Sequence, residues 1–273
     1  MKKSAWKMMW AGLVLAALAM PLASPGDEGA AEAEPEVEAS LDASVFNAYV
    51  WRGQVLNDET VLQPSLTVSK GGFSVNWWGN LNLTDNVTGD AHEFSEHDIG
   101  VSYSHACPLI AGANLTVGIV NYDFPNVAVD ETAVGAEALT KNTHEVYLSY
   151  ALEETPLAPT LLLSYDINEV DALYASLSVT HSVEVNDQVS VEASASVGAA
   201  ASDYNAFYFG VGDDALNDGS VKLSLSYAMT DDLSLTPSIQ YSMLLDSAIE
   251  DGAEAIYGEK DYFVGGVTAS YSF

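Results

Sequence analysis

The sequence predicts an all-β protein, an up-and-down antiparallel transmembrane β-barrel of about twelve strands. Three observations predict it. Apolar residues recur at every second position through much of residues 41–273, the period of a strand with one apolar face. The connections between these stretches alternate between short and long, as they do when one rim of a barrel faces the periplasm and the other faces outward. The last stretch sets Phe263, Gly265, Val267, Ala269, Tyr271 and Phe273 on alternate positions and finishes on an aromatic residue.

Taken in order, the chain opens with Lys2, Lys3 and Lys7, an apolar run from Met8 to Met20, then Pro21 and the small residues Ala23 and Ser24. That is the pattern of a cleaved secretory signal, residues 1–23, too short for a spanning helix. Residues 24–40, rich in Ala, Glu, Pro and Gly, have almost nothing to bury and are expected to be a disordered acidic leader. Twelve strands are expected in residues 41–273, at 41–52, 61–69, 73–83, 94–105, 113–122, 142–152, 159–166, 172–184, 188–201, 219–229, 233–245 and 261–273. Strands eight to eleven carry the clearest alternation: Val189, Val191, Ala193 and Ala195 against Ser190, Glu192, Ser194 and Ser196, with the same rhythm from Leu173 to Thr180, from Val221 to Tyr227 and from Leu233 to Tyr241. Short turns such as Lys70-Gly71-Gly72, Val185-Asn186-Asp187 and Thr230-Asp231-Asp232 mark one rim. Long connections at 53–60, 84–93, 123–141, 202–218 and 246–260 mark the other, with 167–171 a short exception there, and the even strand count puts both termini on the periplasmic side.

Alternation alone also fits a secreted β-sandwich. Strands of ten residues or more favour a tilted membrane crossing, and the polar face is Ser, Thr, Asn and Gly rather than Lys and Glu. Aromatics gather near strand ends (Tyr103, Tyr122, Tyr147, Tyr150, Tyr165, Tyr227, Tyr262, Phe263, Tyr271 and Phe273), where interfacial girdles would place them. Tyr271 and Phe273 form the expected signal for barrel-assembly machinery, which reads a terminal strand by β-augmentation. Pro64 and Pro237 run against a closed ladder, and Pro237 is expected to mark a bulge.

Charge excludes some partners. Eight Lys and Arg stand against 39 Asp and Glu, a net charge of −31, which repels nucleic acid. The expected partners are outer-membrane lipid and lipopolysaccharide, the assembly machinery and small solutes, with oligomeric state open. No dedicated cofactor is expected. Acid residues in the long connections, among them Asp58, Glu59, Asp85, Asp90, Asp123, Asp213, Asp214, Glu250, Asp251 and Glu254, could hold Ca²⁺ or Mg²⁺ loosely, although none has calcium-loop spacing. Cys107 is single, so no internal disulfide can form.

The segment Ser44-Val45-Phe46-Asn47-Ala48-Tyr49-Val50-Trp51-Arg52-Gly53-Gln54, with Gln63-Pro64 downstream, resembles the Tyr-Val-Phe-Arg-Gly opening of an uncharacterised bacterial family, the TorF-family porins (Gcw_chp). Trp51 stands where that family usually has Phe. Phe94-Ser95-Glu96-His97-Asp98-Ile99-Gly100-Val101-Ser102-Tyr103 is similar to its second segment. The resemblance implies an outer-membrane barrel of unestablished substrate.

Four residues are candidates for the lumen or its rim: Arg52, Glu145, Glu192 and Gln240. Arg52 is the one arginine of the sequence, and at the end of strand one it would anchor the first loop, or pair with a loop carboxylate at a constriction. Catalysis is not expected. His144 and His181 share the apolar parity of their strands, and neither sits in the His-Ser-Asn-Gly context of outer-membrane phospholipases. The expected function is passive diffusion of small solutes with a preference for cations. The alternative is a non-conducting surface barrel whose acidic loops act through bridging cations.

Overall fold

The computed structural model describes residues 36–85, 91–107, 110–125 and 142–273. The expected signal segment, most of the leader and nearly all of the 123–141 connection lie outside these residues. The strands are β1 (Glu38–Phe46), β2 (Tyr49–Trp51), β3 (Gln54–Asn57), β4 (Val61–Lys70), β5 (Phe73–Asn82), β6 (Phe94–Ala106), β7 (Asn114–Asp123), β8 (Asn142–Ala151), β9 (Thr160–Asp166), β10 (Leu173–Asn186), β11 (Val189–Ala200), β12 (Ala215–Ala228), β13 (Leu233–Leu244) and β14 (Asp261–Ser272). Two helices, α1 (Ser202–Phe209) and α2 (Ser247–Tyr257), lie in the connections before β12 and β14.

All except β2 and β3 form one closed antiparallel barrel in the ring order β1-β4-β5-β6-β7-β8-β9-β10-β11-β12-β13-β14. Every neighbour around the ring is antiparallel, and β1 closes on β14 from Ser40 opposite Ser272 to Phe46 opposite Gly266. Closure leaves no edge strand, the one way a sheet can satisfy its backbone in lipid. Both the start of β1 and the end of β14 lie at the rim of the short turns.

The two faces of the wall explain why these residues form it. Outward positions carry Leu66, Val75, Ile99, Val101, Leu177, Val221, Leu223 and Ile239, all exposed. Inward positions carry hydroxyls that bond across strands: Ser44 Oγ to Thr268 Oγ1 at 2.8 Å, Ser196 Oγ to Ser220 Oγ at 2.8 Å, and Thr116 Oγ1 to Ser104 Oγ at 3.0 Å. Outward aromatics form two belts. Phe73–Tyr103 and Tyr271–Phe273 meet in tilted or edge-to-face pairs at the short-turn rim, and Trp77–Phe94–His97 and Tyr241–Phe263 do so at the other. Tyr122, Tyr147 and Tyr262 do not belong to these belts. Register places them opposite Thr143, Gly118 and Ser242 on the lumen face.

Three expectations need correction. The strand expected at 41–52 is two things: β1, which starts at Glu38 inside the expected leader, and a break at Asn47-Ala48 that sends the chain inward. Asn47 ends the ladder by side-chain bonding to β14, its Nδ2 donating to the Phe263 carbonyl at 3.1 Å and its Oδ1 accepting from the Gly265 amide at 2.6 Å. The connection 202–218 is largely helix and strand, since β12 begins at Ala215, and 246–260 is mostly α2, capped by Asp246 and ended by Gly258. Finally, Pro237 makes no bulge. The β12–β13 register is the same on both sides of it, and Thr236 Oγ1 donates to Ser226 Oγ at 3.1 Å across the ladder gap. Pro64 is treated alike: pairing with β1 runs through it, the gap falls on the β5 side, and Gln63 Nε2 donates to Asn80 Oδ1 at 3.0 Å there.

Candidate functional site

β2 and β3 form a hairpin that leaves the wall after β1 and returns to it at β4. Its two central residues, Arg52 and Gly53, both have positive φ, 47° and 78°, the backbone of the two-residue turn whose twist suits a hairpin. Glycine adopts this freely, but arginine there costs about 1–2 kcal/mol. Contacts made by the arginine side chain must offset that cost.

They do so on the far side of the lumen. The Arg52 guanidinium donates to both oxygens of Glu145 on β8, Nη1 to Oε1 and Nη2 to Oε2, each at 2.7 Å. β8 lies five places round a ring of twelve from β1, so the hairpin is a strap across nearly the full width of the barrel. Trp51 and Tyr174 cover the guanidinium, their ring centroids 4.3 and 4.1 Å from Cζ, an arrangement that favours a planar cation. Tyr122 OH donates to Glu145 Oε2 at 3.1 Å. The two side chains of the pair are 10 % and 5 % exposed, so this is a buried bidentate ion pair. Burial works against the Arg52 charge, but the Glu145 carboxylate outweighs it and holds the guanidinium protonated more firmly than in water.

The helices complete the filling. α1 and α2 pack beside the strap, with Tyr204, Tyr208, Phe209, Ile249 and Ala253 buried together with Tyr174, Leu244 and Val170 of the wall and its rim. The one proton of Tyr257 OH is shared between Gln54 Oε1 at 2.8 Å and the Tyr208 carbonyl at 3.0 Å, which ties β3 to both helices. Burial pushes the phenols of Tyr204 and Tyr257 above their ordinary value, so both stay protonated. On the near side Asn57 Nδ2 donates to Asn82 Oδ1 at 2.9 Å and fastens β3 to β5. Tyr174 OH donates to Asp218 at 2.9 Å, and Thr143 Oγ1 to Asp166 at 2.6 Å, so these buried carboxylates are satisfied by the wall itself. Between Trp51, Gln54, Glu96, Tyr122, Thr143 and Tyr208 a cavity of about 20 Å³ remains, room for one water molecule.

A bacterial family of unknown function (Gcw_chp) matches residues 30–248. The chain belongs to the Gcw_chp family. No curated protein matches it in sequence. Among solved structures the Gcw_chp chain is similar to the NanC porin (14 % identity, 85 % of this chain and 98 % of that one, TM-score 0.49) and the KdgM porin (10 %, 86 % and 99 %, 0.49). It is also similar to the COG4313 outer membrane channel of Pseudomonas putida F1 (9 %, 92 % and 100 %, 0.49). These likenesses are of barrel fold.

Within this Gcw_chp barrel the four candidate residues separate. Arg52 and Glu145 meet, although Arg52 sits at the tip of the strap inside the lumen and not at the end of a wall strand. Gln240 is on the lumen face of β13, opposite Lys222 and Val264. Glu192 is on the lumen face of β11 toward the short-turn rim, accepting from Ser182 Oγ at 3.1 Å. Tyr271 and Phe273 are exposed on the outer wall. Among the described residues no three His, Cys, Asp or Glu side chains converge as metal ligands. Tyr174, Tyr204 and Gln54 were not among the expected site residues. The signal was available: the connection after β11 carries Phe207-Tyr208-Phe209, an apolar cluster with no place in a solvated loop.

Proposed function

We propose that this Gcw_chp chain resides in the outer membrane of a Gram-negative-type bacterium, with both termini toward the periplasm, and is a porin-like channel for small solutes. One observation carries the proposal: the wall is apolar outside and lined with small hydroxyl side chains inside, so the part of the lumen between the strap and the short-turn rim suits water and polar solutes. The preference for cations rests on the lumen carboxylates. Asp42 and Glu192 face the lumen between the strap and the short-turn rim, against Lys222 on β12, and acidic walls raise the local concentration of cations. In this proposal Tyr271 and Phe273 serve recognition by assembly machinery, and acidic loop residues meet lipopolysaccharide through loosely held Ca²⁺ or Mg²⁺.

A second reading, a non-conducting surface barrel, is favoured by the filled mouth. A strapless chain separates the two. Phe46 already lies opposite Val61, so residues 47–60 can be replaced by a two-residue turn without moving the wall. In planar bilayers under a salt gradient, the strapless chain is expected to open steadily with a cation-selective reversal potential. Silence from both it and the full chain would sink the pore and leave the surface barrel.

A further inference from the structure

We propose that the strap is a gate, and that the Arg52–Glu145 pair is the latch that holds it shut. This rests on the channel reading above and adds how the channel is regulated. The strap is built to depend on side chains and not on its own backbone. β2 and β3 pair with each other over three residue pairs only, with a register shift among them, and they join no strand of the barrel. The turn at the tip carries a left-handed arginine, so the tip gains nothing from its local conformation. The hinge end is fixed to β14 through Asn47, and the return end to β5 through Asn57 and Asn82. Both fixings are on the near side of the ring. On the far wall, the one charged contact among the described residues is Arg52 with Glu145.

The latch is also reversible by design of its chemistry. A bidentate guanidinium–carboxylate pair is strong only while dry. Once the tip lifts, water reaches both ions, and each is stable apart. The aromatic covers come from different bodies: Trp51 travels with the strap, whereas Tyr174 stays on the wall. Lifting the tip therefore parts Trp51 from Tyr174, together with the contacts of Trp51 with Tyr122 and Tyr208 and of Gln54 with Tyr257. Lysine at position 52 would keep the charge and lose the two-pronged fit, so Arg52→Lys should hold the strap less firmly than the native residue and more firmly than no cation.

Arg52 also supplies the probe, because it is the sole arginine in the sequence and an arginine-specific protease can cut the chain only after it. The refolded full chain and its Glu145→Gln variant are treated with such a protease in detergent and, separately, recorded in bilayers beside the strapless chain. The proposal expects the native chain to resist cleavage and to stay mostly closed. Glu145→Gln is expected to be cut at Arg52-Gly53 at least tenfold faster and to raise open probability tenfold or more toward that of the strapless chain. If the strapless chain conducts while Glu145→Gln remains uncut and closed, the latch is wrong and the channel stands. If Glu145→Gln is cut but neither it nor the strapless chain conducts, the channel reading fails and takes the gate with it, leaving the strap as a brace. Unaltered heat-modifiable gel mobility of Glu145→Gln, unheated against boiled, verifies that the variant barrel has folded.

Discussion

Replacing Arg52 with methionine is expected to lower folding stability by about 3–5 kcal/mol, the usual cost of stranding one member of a buried ion pair. Glu145 would keep one donor, Tyr122 OH, and lose the two charged donors that justify its burial. Replacing both residues, Arg52→Met with Glu145→Met, is expected to restore stability to within about 1 kcal/mol of the native chain, because neither charge then needs solvation in the wall. Urea unfolding of the refolded barrel in micelles, followed by tryptophan emission, measures all three differences. A loss below about 1 kcal/mol for the single replacement would mean that Glu145 regains water at little cost once Arg52 is gone, as when the strap undocks easily. The comparison also separates charge from packing, since methionine keeps much of the stem that Trp51 and Tyr174 enclose.

The second large effect is at the barrel seam. Gly266 on β14 faces Phe46 on β1, and a side chain added at Gly266 would run into the Val45 carbonyl oxygen and the Phe46 ring. The carbonyl belongs to the ladder and cannot give way. Gly266→Val should therefore cost about 3 kcal/mol or more, at the upper end of overpacking penalties, and much of the chain should fail to acquire heat-modifiable gel mobility on refolding. Gly212→Val provides the contrast. Nothing lies within 4 Å of a Cβ placed there, and its effect should stay within about 0.5 kcal/mol. Equal behaviour of the two variants would refute the close approach at the seam.

The wall was legible in the sequence because lipid and water impose opposite demands on its two faces. Val189 to Ala195, Val221 to Tyr227 and Leu233 to Tyr241 alternate for that reason, and the strands there fall within a few residues of expectation. The strap was not legible as a strap, because it is enclosed on both sides. Phe46, Ala48 and Val50 are as apolar as Val45, Tyr49 and Trp51, and past Asn47 both parities are buried or half-buried among protein groups inside the lumen. The failure of alternation over these residues was itself the mark of a segment leaving the wall. The Arg-Gly turn gave no help, since an arginine with positive φ departs from the Asn-Gly and Asp-Gly pairs that announce such turns. α2 was readable in principle: Asp246 caps it, Gly258 ends it, and Ile249, Ala253 and Tyr257 repeat every four residues. It passed for a loop because a long connection was expected on that side. Glu145 could be assigned to the lumen by parity, but its partner could not, for 93 residues separate the two and only the curvature of the closed ring brings them together.

The hinge at Asn47 carries a consequence for assembly. Its anchors, the Phe263 carbonyl and the Gly265 amide, belong to β14, the strand of the ring that is made after all its others, while the strap directly follows β1. During biogenesis the hinge end of the strap therefore has no mooring until β14 arrives and the ring zips shut. Fixing of the hinge then becomes a late event: a nascent barrel still lacking β14 would hold the strap by its return end and by Arg52 on β8, with the hinge end loose.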